Sequence, residues 1–331
     1  MSELRLNLIT MQWVIIQSDG KKPEEIVFSE DKKKITEKKK DCPFCPGNEH
    51  MTEKPKLIIG GNGNWRIRVI PNKYPVLSEM SNPKRYRDGL HVKMDGAGVH
   101  ELIIEDRKHN SNLALLSKDG IMENLLAYRE RYEELVKIDY IKQVIIFKNH
   151  GDRSGSSIEH PHSHIVGLPV VSTETRKRME RAMYYYEQNG SCIFCDLVKQ
   201  ELKDKNRIIS ETENFVAFIP YAALSPFHTW IIPKNHACSF MMIDDEHIIE
   251  LASIIKDVFS RFHIGLNDPS YNLVVRSLPS TTGGLDYFHW YFSLVPRLVR
   301  RAGFEMGSGM YINPSIPEEC AEFLRNINIE Q

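Results

Sequence analysis

Short apolar runs occur twice along the chain and in the same order. Runs of this kind, bounded by polar or turn-forming residues, are typical of buried β-strands. They lie at residues 65–71, 101–104 and 144–147 in the first half and at residues 215–220, 230–233 and 273–275 in the second half. The pattern therefore predicts two similar sets of strands.

Apolar residues at helical spacing separate the second run from the third in each half. Residues 113–138 predict one amphipathic helix, and residues 243–262 predict a second that has acidic residues at its start. A charged helix at residues 173–188 is predicted to join the halves. Residues 79–98 are polar and contain Pro and Gly, so we expect an inserted loop or hairpin there.

The repeated order of strands and helices predicts an α+β protein with an internal pseudo-repeat. A chain of 331 residues is long enough for two domains with sizeable cores. We therefore expect two tandem domains of similar fold at residues 1–172 and 173–331. Each is predicted to have an antiparallel sheet with a packed helix.

Composition narrows the possible functions. The hydrophobic fraction of 41% and the charged fraction of 26% are typical of a globular protein, and a net charge of -1 argues against nucleic acid as a partner. A lysine-rich stretch at residues 32–40 is interpreted as a solvated loop. The sequence shows neither a signal peptide nor an apolar run long enough to span a membrane, so we expect a cytoplasmic protein.

Two Cys-x-x-Cys pairs stand at matching places in the repeat, and each is followed by two distant histidines. The interval between those histidines is 51 positions in the first half and 53 in the second. Two thiolates with two imidazoles form a tetrahedral zinc set with no open position, which is typical of a structural site. The sequence therefore predicts two structural zinc sites, formed by Cys42, Cys45, His109 and His160 and by Cys192, Cys195, His236 and His289.

Other uses of these residues remain open. Each Cys-x-x-Cys pair could instead be a redox pair or two buried thiols. His50 and His228 are competing candidates for the histidine ligands. The remaining cysteines, Cys238 and Cys320, are interpreted as packing residues.

His160, His162 and His164 alternate along one short segment, so on a strand they would share one face. If His160 binds metal, His162 is left free on that face. A neutral imidazole can attack an α-phosphorus and hold the nucleotidyl group as a phosphoramidate, provided that its other nitrogen is hydrogen-bonded. The overlaid second half has Tyr291 at this position, so one nucleophile per chain is expected. A chance cluster of surface histidines is the alternative.

A glycine- and serine-rich stretch precedes the histidines. Glycines permit close backbone approach, and hydroxyl, amide and guanidinium groups can hold phosphate oxygens. A stretch of this composition can also be an ordinary turn. The candidate phosphate-binding residues are Asn149, Gly151, Arg153, Gly155 and Ser157.

Taken together, these motifs resemble those of the galactose-1-phosphate uridylyltransferase family, the transferase branch of the histidine triad superfamily. The resemblance covers nearly the whole chain, and its most specific part is the stretch 149–164. It also rests on CPFC at 42–45, RIRVIPNKYP at 66–75, GVHE at 98–101, HW at 289–290 and GFE at 303–305.

The resemblance implies that the two tandem domains are histidine-triad-like, and it also implies roles for individual residues. The middle histidine of the His-Pro-His segment is nucleotidylated in the family, which corresponds to His162, and the first is a zinc ligand, which corresponds to His160. It also implies phosphate contacts for Asn149, Gly151, Gly155 and Ser157, nucleotide contacts for Asn72 and Lys73, and a hexose contact for Glu305. Family members are often homodimers with sites shared between subunits.

His164 departs from the family pattern, because the transferases usually carry glutamine there and nucleotide hydrolases of the superfamily carry histidine. Glutamine can only hydrogen-bond the phosphate, whereas histidine could also move a proton to a leaving group. We therefore treat His164 as a second candidate catalytic residue. The interpretation that we favour is that it donates the same hydrogen bond.

Three functions follow. The first is a UDP-glucose:hexose-1-phosphate (galactose-1-phosphate) uridylyltransferase that works by ping-pong transfer, with nucleotide sugars and sugar 1-phosphates as substrates. The second is a phosphorylase or hydrolase of ADP-glucose or dinucleoside polyphosphates. The third is a zinc-stabilised nucleotide- or RNA-binding module without catalysis, against which the near-neutral charge weighs.

Overall fold

The computed structural model describes residues 1–27, 35–61, 63–279 and 286–329. Residues 32–34 of the lysine-rich stretch lie outside the described residues. The strands are β1 (Glu3–Leu6), β2 (Trp13–Ile16), β3 (Leu57–Gly61), β4 (Asn64–Pro71), β5 (Arg85–Asp88), β6 (His91–Met94), β7 (Val99–Ile104), β8 (Gln143–His150), β9 (His162–Leu168), β10 (Ile208–Glu211), β11 (Phe215–Phe218), β12 (Thr229–Pro233), β13 (Tyr271–Arg276), β14 (Tyr291–Pro296) and β15 (Tyr311–Asn313). The helices are α1 (Pro23–Ile26), α2 (Lys118–Val136), α3 (Thr173–Asn189), α4 (Ile193–Asp204), α5 (Asp245–Gly265), α6 (Gly303–Ser308) and α7 (Pro317–Arg325).

Ten strands form one antiparallel sheet in the order β10-β11-β12-β14-β13-β8-β9-β7-β4-β3. The two halves of the sheet have matching orders when each is followed from its outer edge to the centre. The second half has the order β10, β11, β12, β14, β13, and the first half has the order β3, β4, β7, β9, β8. The halves meet where β8 pairs with β13, with Phe147 opposite Val274. The predicted α+β fold with an internal repeat is confirmed, and the two sets of strands are joined edge to edge.

Helices α2 and α5 cover one face of this sheet. Leu125 of α2, Leu251 of α5 and Ile146 of β8 belong to one continuous cluster of buried side chains that extends through both halves. The opposite face of the second half packs against α3 and α4, for example at Phe194. On the same face of the first half, Leu102 packs with the first Cys-x-x-Cys segment. This face therefore carries the histidines of β9.

The predicted helices are present, but their ends differ. The helix predicted from residue 113 begins only at Lys118, because Ser117 caps it by accepting a hydrogen bond from the backbone N–H of Gly120 at 3.1 Å. Asp244 caps α5 in the same way, by accepting from the N–H of His247. The charged helix at 173–188 corresponds to α3, and the insertion at 79–98 contains the hairpin of β5 and β6.

A smaller sheet connects the two ends of the described chain. Strand β15 pairs in parallel with β2, and β2 pairs with β1. Arg5 of β1 forms an ion pair with Glu318 of α7 at 2.9 Å. In the described part of the chain, no helix is both long enough and apolar enough to cross a membrane.

Candidate functional site

The first predicted metal set comes together in the structure. The potential ligand atoms of Cys42, Cys45, His109 and His160 all lie within 4.8 Å of one another, and the four residues are buried. The Nδ1 atom of each histidine is 3.6 Å from the Sγ atom of Cys45. Nε2 of His160 donates to the carbonyl oxygen of Asp106 at 2.8 Å, which leaves the lone pair on Nδ1. These residues can hold a metal ion.

The second set converges in the equivalent place of the other half but is more open to solvent. Its potential ligand atoms also lie within 4.8 Å of one another, and its members are Cys192, Cys195, His236 and His289. His236 is exposed and Cys195 is half-buried. The competing candidates are in neither cluster, since His50 lies on a short exposed turn and His228 is hydrogen-bonded to Ser293.

His162 stands at the start of β9 with one ring nitrogen fixed. Its Nδ1 lies 2.8 Å from the carbonyl oxygen of His160. Because a carbonyl only accepts, Nδ1 carries the proton and Nε2 keeps its lone pair. Burial lowers the pKa of His162, and the positive charge of Lys148 lowers it further, so the ring is neutral at pH 7. The geometry meets the requirement for a nucleophilic imidazole.

His164 lies on the same face, with its ring centroid 5.1 Å from that of His162. It stacks on Phe147 at 4.6 Å, and its Nδ1 is 3.0 Å from Nε2 of His100. Burial lowers the pKa of His164 to about 3, and the positive charges of neighbouring groups contribute. The ring is therefore uncharged at neutral pH and acts as a hydrogen-bonding group.

His100 was not identified from the sequence, although it joins two residues that were. The Nδ2 atom of Asn72 lies 3.2 Å from His100 Nε2, so Asn72, His100 and His164 form one connected group. Strand alternation was the signal in the sequence that could have identified His100. His100 and Leu102 lie two positions apart on β7, so their side chains point to the same face of the sheet. Lys73 is exposed, with its ammonium 5.9 Å from the ring centroid of Tyr74.

A buried ion pair supports β9 from the helix side, and it too was missed. The Nζ atom of Lys148 lies 2.5 Å from a Glu105 carboxylate oxygen and donates to the carbonyl oxygen of His162 at 3.2 Å. Both side chains are at most 2% exposed. Glu105 also accepts hydrogen bonds from Tyr128 and Ser163. Burial opposes the ionised form, but the charge of Lys148 lowers the pKa of Glu105.

The glycine-rich stretch is fixed against the second half of the chain. Gly151 has a φ of 78°, and a Cβ atom there would lie 2.3 Å from Oγ of Ser270. Asn149 accepts a hydrogen bond from Nδ2 of Asn272 at 2.6 Å. Gly155 also has a positive φ, of 85°. The loop conformation therefore requires glycine at two positions and needs the C-terminal half as its support.

A cavity of about 340 Å³ lies beside this stretch. Gly151 and Ser157 line it together with Cys42 and His109 of the first Cys/His cluster, whereas His162 does not line it. Arg153 is exposed on the turn that follows Gly151.

Glu305 lies elsewhere in the single chain, on α6. It accepts a hydrogen bond from the backbone N–H of Ala302 at 2.9 Å. It lines a different cavity, in the second half, and no described contact joins it to the histidines of β9.

The two halves of the sequence match the two domains of one protein family. Residues 1–172 match the N-terminal domain and residues 178–313 the C-terminal domain of galactose-1-phosphate uridyl transferase. The chain belongs to the galactose-1-phosphate uridyl transferase family. The resemblance inferred from the motifs is therefore confirmed.

Relatives of this galactose-1-phosphate uridyl transferase family member cover its whole length. An ADP-glucose phosphorylase from Arabidopsis thaliana is 34% identical over 99% of this chain and 93% of the relative. The crystal structure of an ADP-glucose phosphorylase from that plant with bound ADP-glucose has a TM-score of 0.84 and 32% identity, covering 99% of this chain and 100% of the other. A galactose-1-phosphate uridylyltransferase from Thermotoga maritima is 26% identical over 100% of both chains.

The buried ion pair gives a prediction about stability. Replacing Lys148 by methionine leaves the Glu105 carboxylate buried without a cation, which we expect to lower the free energy of unfolding by about 3–5 kcal/mol. Denaturation with urea measures this change. The double variant Lys148→Met/Glu105→Leu should recover part of the loss. In the exposed pair Lys137–Glu134, Lys137→Met is the control and should leave stability unchanged. Equal effects of Lys148→Met and Lys137→Met would contradict the prediction.

Proposed function

We propose that this protein is a phosphorylase-type nucleotidyltransferase that transfers the adenylyl group of ADP-glucose to inorganic phosphate through His162. The proposal rests on the fixed Nδ1–H tautomer of His162, which leaves Nε2 free to attack phosphorus. The 34% identity to an ADP-glucose phosphorylase favours this substrate over UDP-glucose. The matched uridylyltransferases are 26–29% identical. Uridylyl transfer, placed first on the motifs alone, becomes the second candidate.

The proposed reaction has two displacements. In the first, Nε2 of His162 attacks the α-phosphorus of ADP-glucose, an N–P bond forms, and glucose 1-phosphate leaves. In the second, an oxygen of inorganic phosphate attacks the same phosphorus, the N–P bond breaks, and ADP leaves. The hydrogen bond from Nδ1 to the carbonyl of His160 stabilises the cationic ring of the intermediate, because the carbonyl accepts from the same N–H throughout.

The remaining candidate residues take positioning roles in this proposal. The backbone and hydroxyl groups of the stretch 149–157 bind the phosphates, and Asn72 binds the nucleotide. His164 donates a hydrogen bond to a phosphate oxygen, with the neutral ring held between Phe147 and His100. Glu305 contacts the sugar from a second copy of the chain in a homodimer, since it lies apart from His162 within one chain.

We further propose that both Cys/His clusters bind zinc. Each offers two sulfur and two nitrogen atoms, the donor set that zinc prefers in closed structural sites. Burial raises the pKa of the Cys42 thiol to about 11, so a bound cation is needed to hold it as a thiolate at neutral pH. A zinc ion held by the first cluster would fix the ring of His160, and the carbonyl of His160 orients His162.

Trapping the intermediate tests the proposed activity. ADP-glucose labelled at its α-phosphate should leave about one acid-labile, base-stable label per chain after denaturation, because a histidine phosphoramidate has that stability. UDP-glucose labelled in the same way should leave much less. A stronger uridylyl label would support the second candidate instead.

Variants identify the nucleophile in the same assay. His162→Ala should abolish labelling and lower the rate of phosphorolysis by about 10⁴-fold or more, because the covalent route is lost. His91→Ala, at an exposed histidine of β6, is the control and should label normally. Absence of label from every nucleotide sugar, with unchanged nucleotide binding in His162→Ala, would favour a module without catalysis.

The role of His164 has its own test. His164→Gln keeps a hydrogen-bond donor but cannot move a proton, so we expect it to retain transfer to phosphate and to lower hydrolysis of ADP-glucose in the absence of phosphate. Steady-state assays with and without phosphate measure the two reactions. Equal hydrolysis in the wild type and in His164→Gln would show that residue 164 has no part in proton transfer.

Metal content tests the two zinc sites. The protein should contain two zinc ions per chain by elemental analysis, and Cys45→Ala should contain one and unfold at a lower temperature. Cys238→Ala, at a buried cysteine outside both clusters, should keep two. Wild-type protein that folds and works without metal would refute this assignment.

A further inference from the structure

A second cavity lies on the face of the sheet that carries the histidines of β9, but in the other half of the molecule. Its volume is about 380 Å³, within the range of small-molecule sites. Tyr291 and Ser293 of β14 line it. Since β14 takes the place of β9 in the repeat, this cavity occupies the position in the second half that corresponds to the catalytic strand in the first.

Positive charge is concentrated around this cavity. Arg178 of α3, Arg276 of β13 and Arg297 line it, and all three guanidinium groups act electrostatically on His228. Arg178 pairs with Glu174 at 2.9 Å. Among the described residues, neither Arg276 nor Arg297 forms an ion pair, because no carboxylate oxygen lies within 4.0 Å of either guanidinium group.

The rest of the charged lining does not neutralise the cluster. Arg300 and Arg301 add two positive charges. Glu305, which the proposed function places on the sugar of a substrate bound by a second copy of the chain, adds one negative charge. Burial lowers the pKa of Arg276, and repulsion by the positive charge of Arg178 lowers it further. An anion is therefore the missing counter-charge.

His228 offers a buried donor with no partner. Its Nε2 accepts a hydrogen bond from the indole N–H of Trp230 at 3.2 Å. An indole nitrogen only donates, so Nε2 is unprotonated and Nδ1 carries the proton. In the described part of the chain that Nδ1–H has no hydrogen-bond partner, and neither does the Nε–H of Arg178. Both are donors in largely buried residues, so the group they lack is an acceptor.

We propose that this cavity binds the phosphate group of a small phosphorylated metabolite, of the phosphate monoester class, between Arg178, Arg276 and Arg297. Guanidinium groups match phosphate oxygens in geometry as well as charge. The counterpart of the nucleophile is Tyr291, which lacks an imidazole nitrogen, so the site binds its ligand without forming a phosphoramidate. The repeat thus has one half for transfer and one half for anion binding.

Counting binding sites on the full-length, metal-loaded protein tests the proposal. Glucose 1-phosphate and inorganic phosphate are titrated separately by calorimetry at constant ionic strength. We expect Arg276→Gln to bind at least one of these ligands at one site fewer per chain than the wild type, or at least tenfold more weakly at one site. Arg85→Gln removes one positive charge from the exposed strand β5 and should bind both as the wild type does.

Stability provides a second measurement that a purely structural role would not produce. Removing Arg276 relieves repulsion, so Arg276→Gln without phosphate should melt no lower than the wild type, and added phosphate should stabilise it less. The proposal would be overturned if Arg276→Gln melted lower than the wild type in the absence of phosphate but kept the full number of binding sites and the full affinity. Both readouts are independent of labelling at His162, so they stand or fall separately from the proposed phosphorylase activity.

Discussion

The backbone ladder between β8 and β13 is the interaction on which the rest of the molecule depends. It joins two five-stranded sets into one antiparallel sheet, so neither set has an exposed edge at the centre. One large apolar face can then be covered by α2 and α5 together. The same ladder places Asn272 beside Asn149, so that the second half supports the loop that precedes the histidines of β9.

The neutral, oriented state of His162 follows from this arrangement in several steps. The first Cys/His cluster fixes the His160 side chain, and the carbonyl of His160 selects the tautomer of His162. From the helix side, Lys148 donates to the carbonyl of His162 and is itself held by Glu105. Burying this ion pair is costly unless both partners are present, which makes the geometry of β9 sensitive to either one.

The two halves of the internal repeat share one framework but carry different side chains on the sheet face that holds the histidines of β9. In both halves, a Cys/His cluster sits at the end of the strand corresponding to β9 or β14. The positions that follow on the same face of the sheet differ. His162 and His164 of the first half correspond to Tyr291 and Ser293 of the second. Arginines surround the second set. A duplicated fold can thus keep its two Cys/His clusters while the side chains on the sheet face beside them diverge.

The sequence by itself determined the repeat, the two Cys/His sets and the position of His162, because periodicity, spacing and alternation are local properties of the chain. It did not determine the joining of the sheets through Val274, or the contacts of His100 and Lys148. Each of these depends on which strands become neighbours, and strand pairing brings together residues far apart in sequence. Whether a buried charge is paired or left without a partner is likewise decided only when the chain has folded around it.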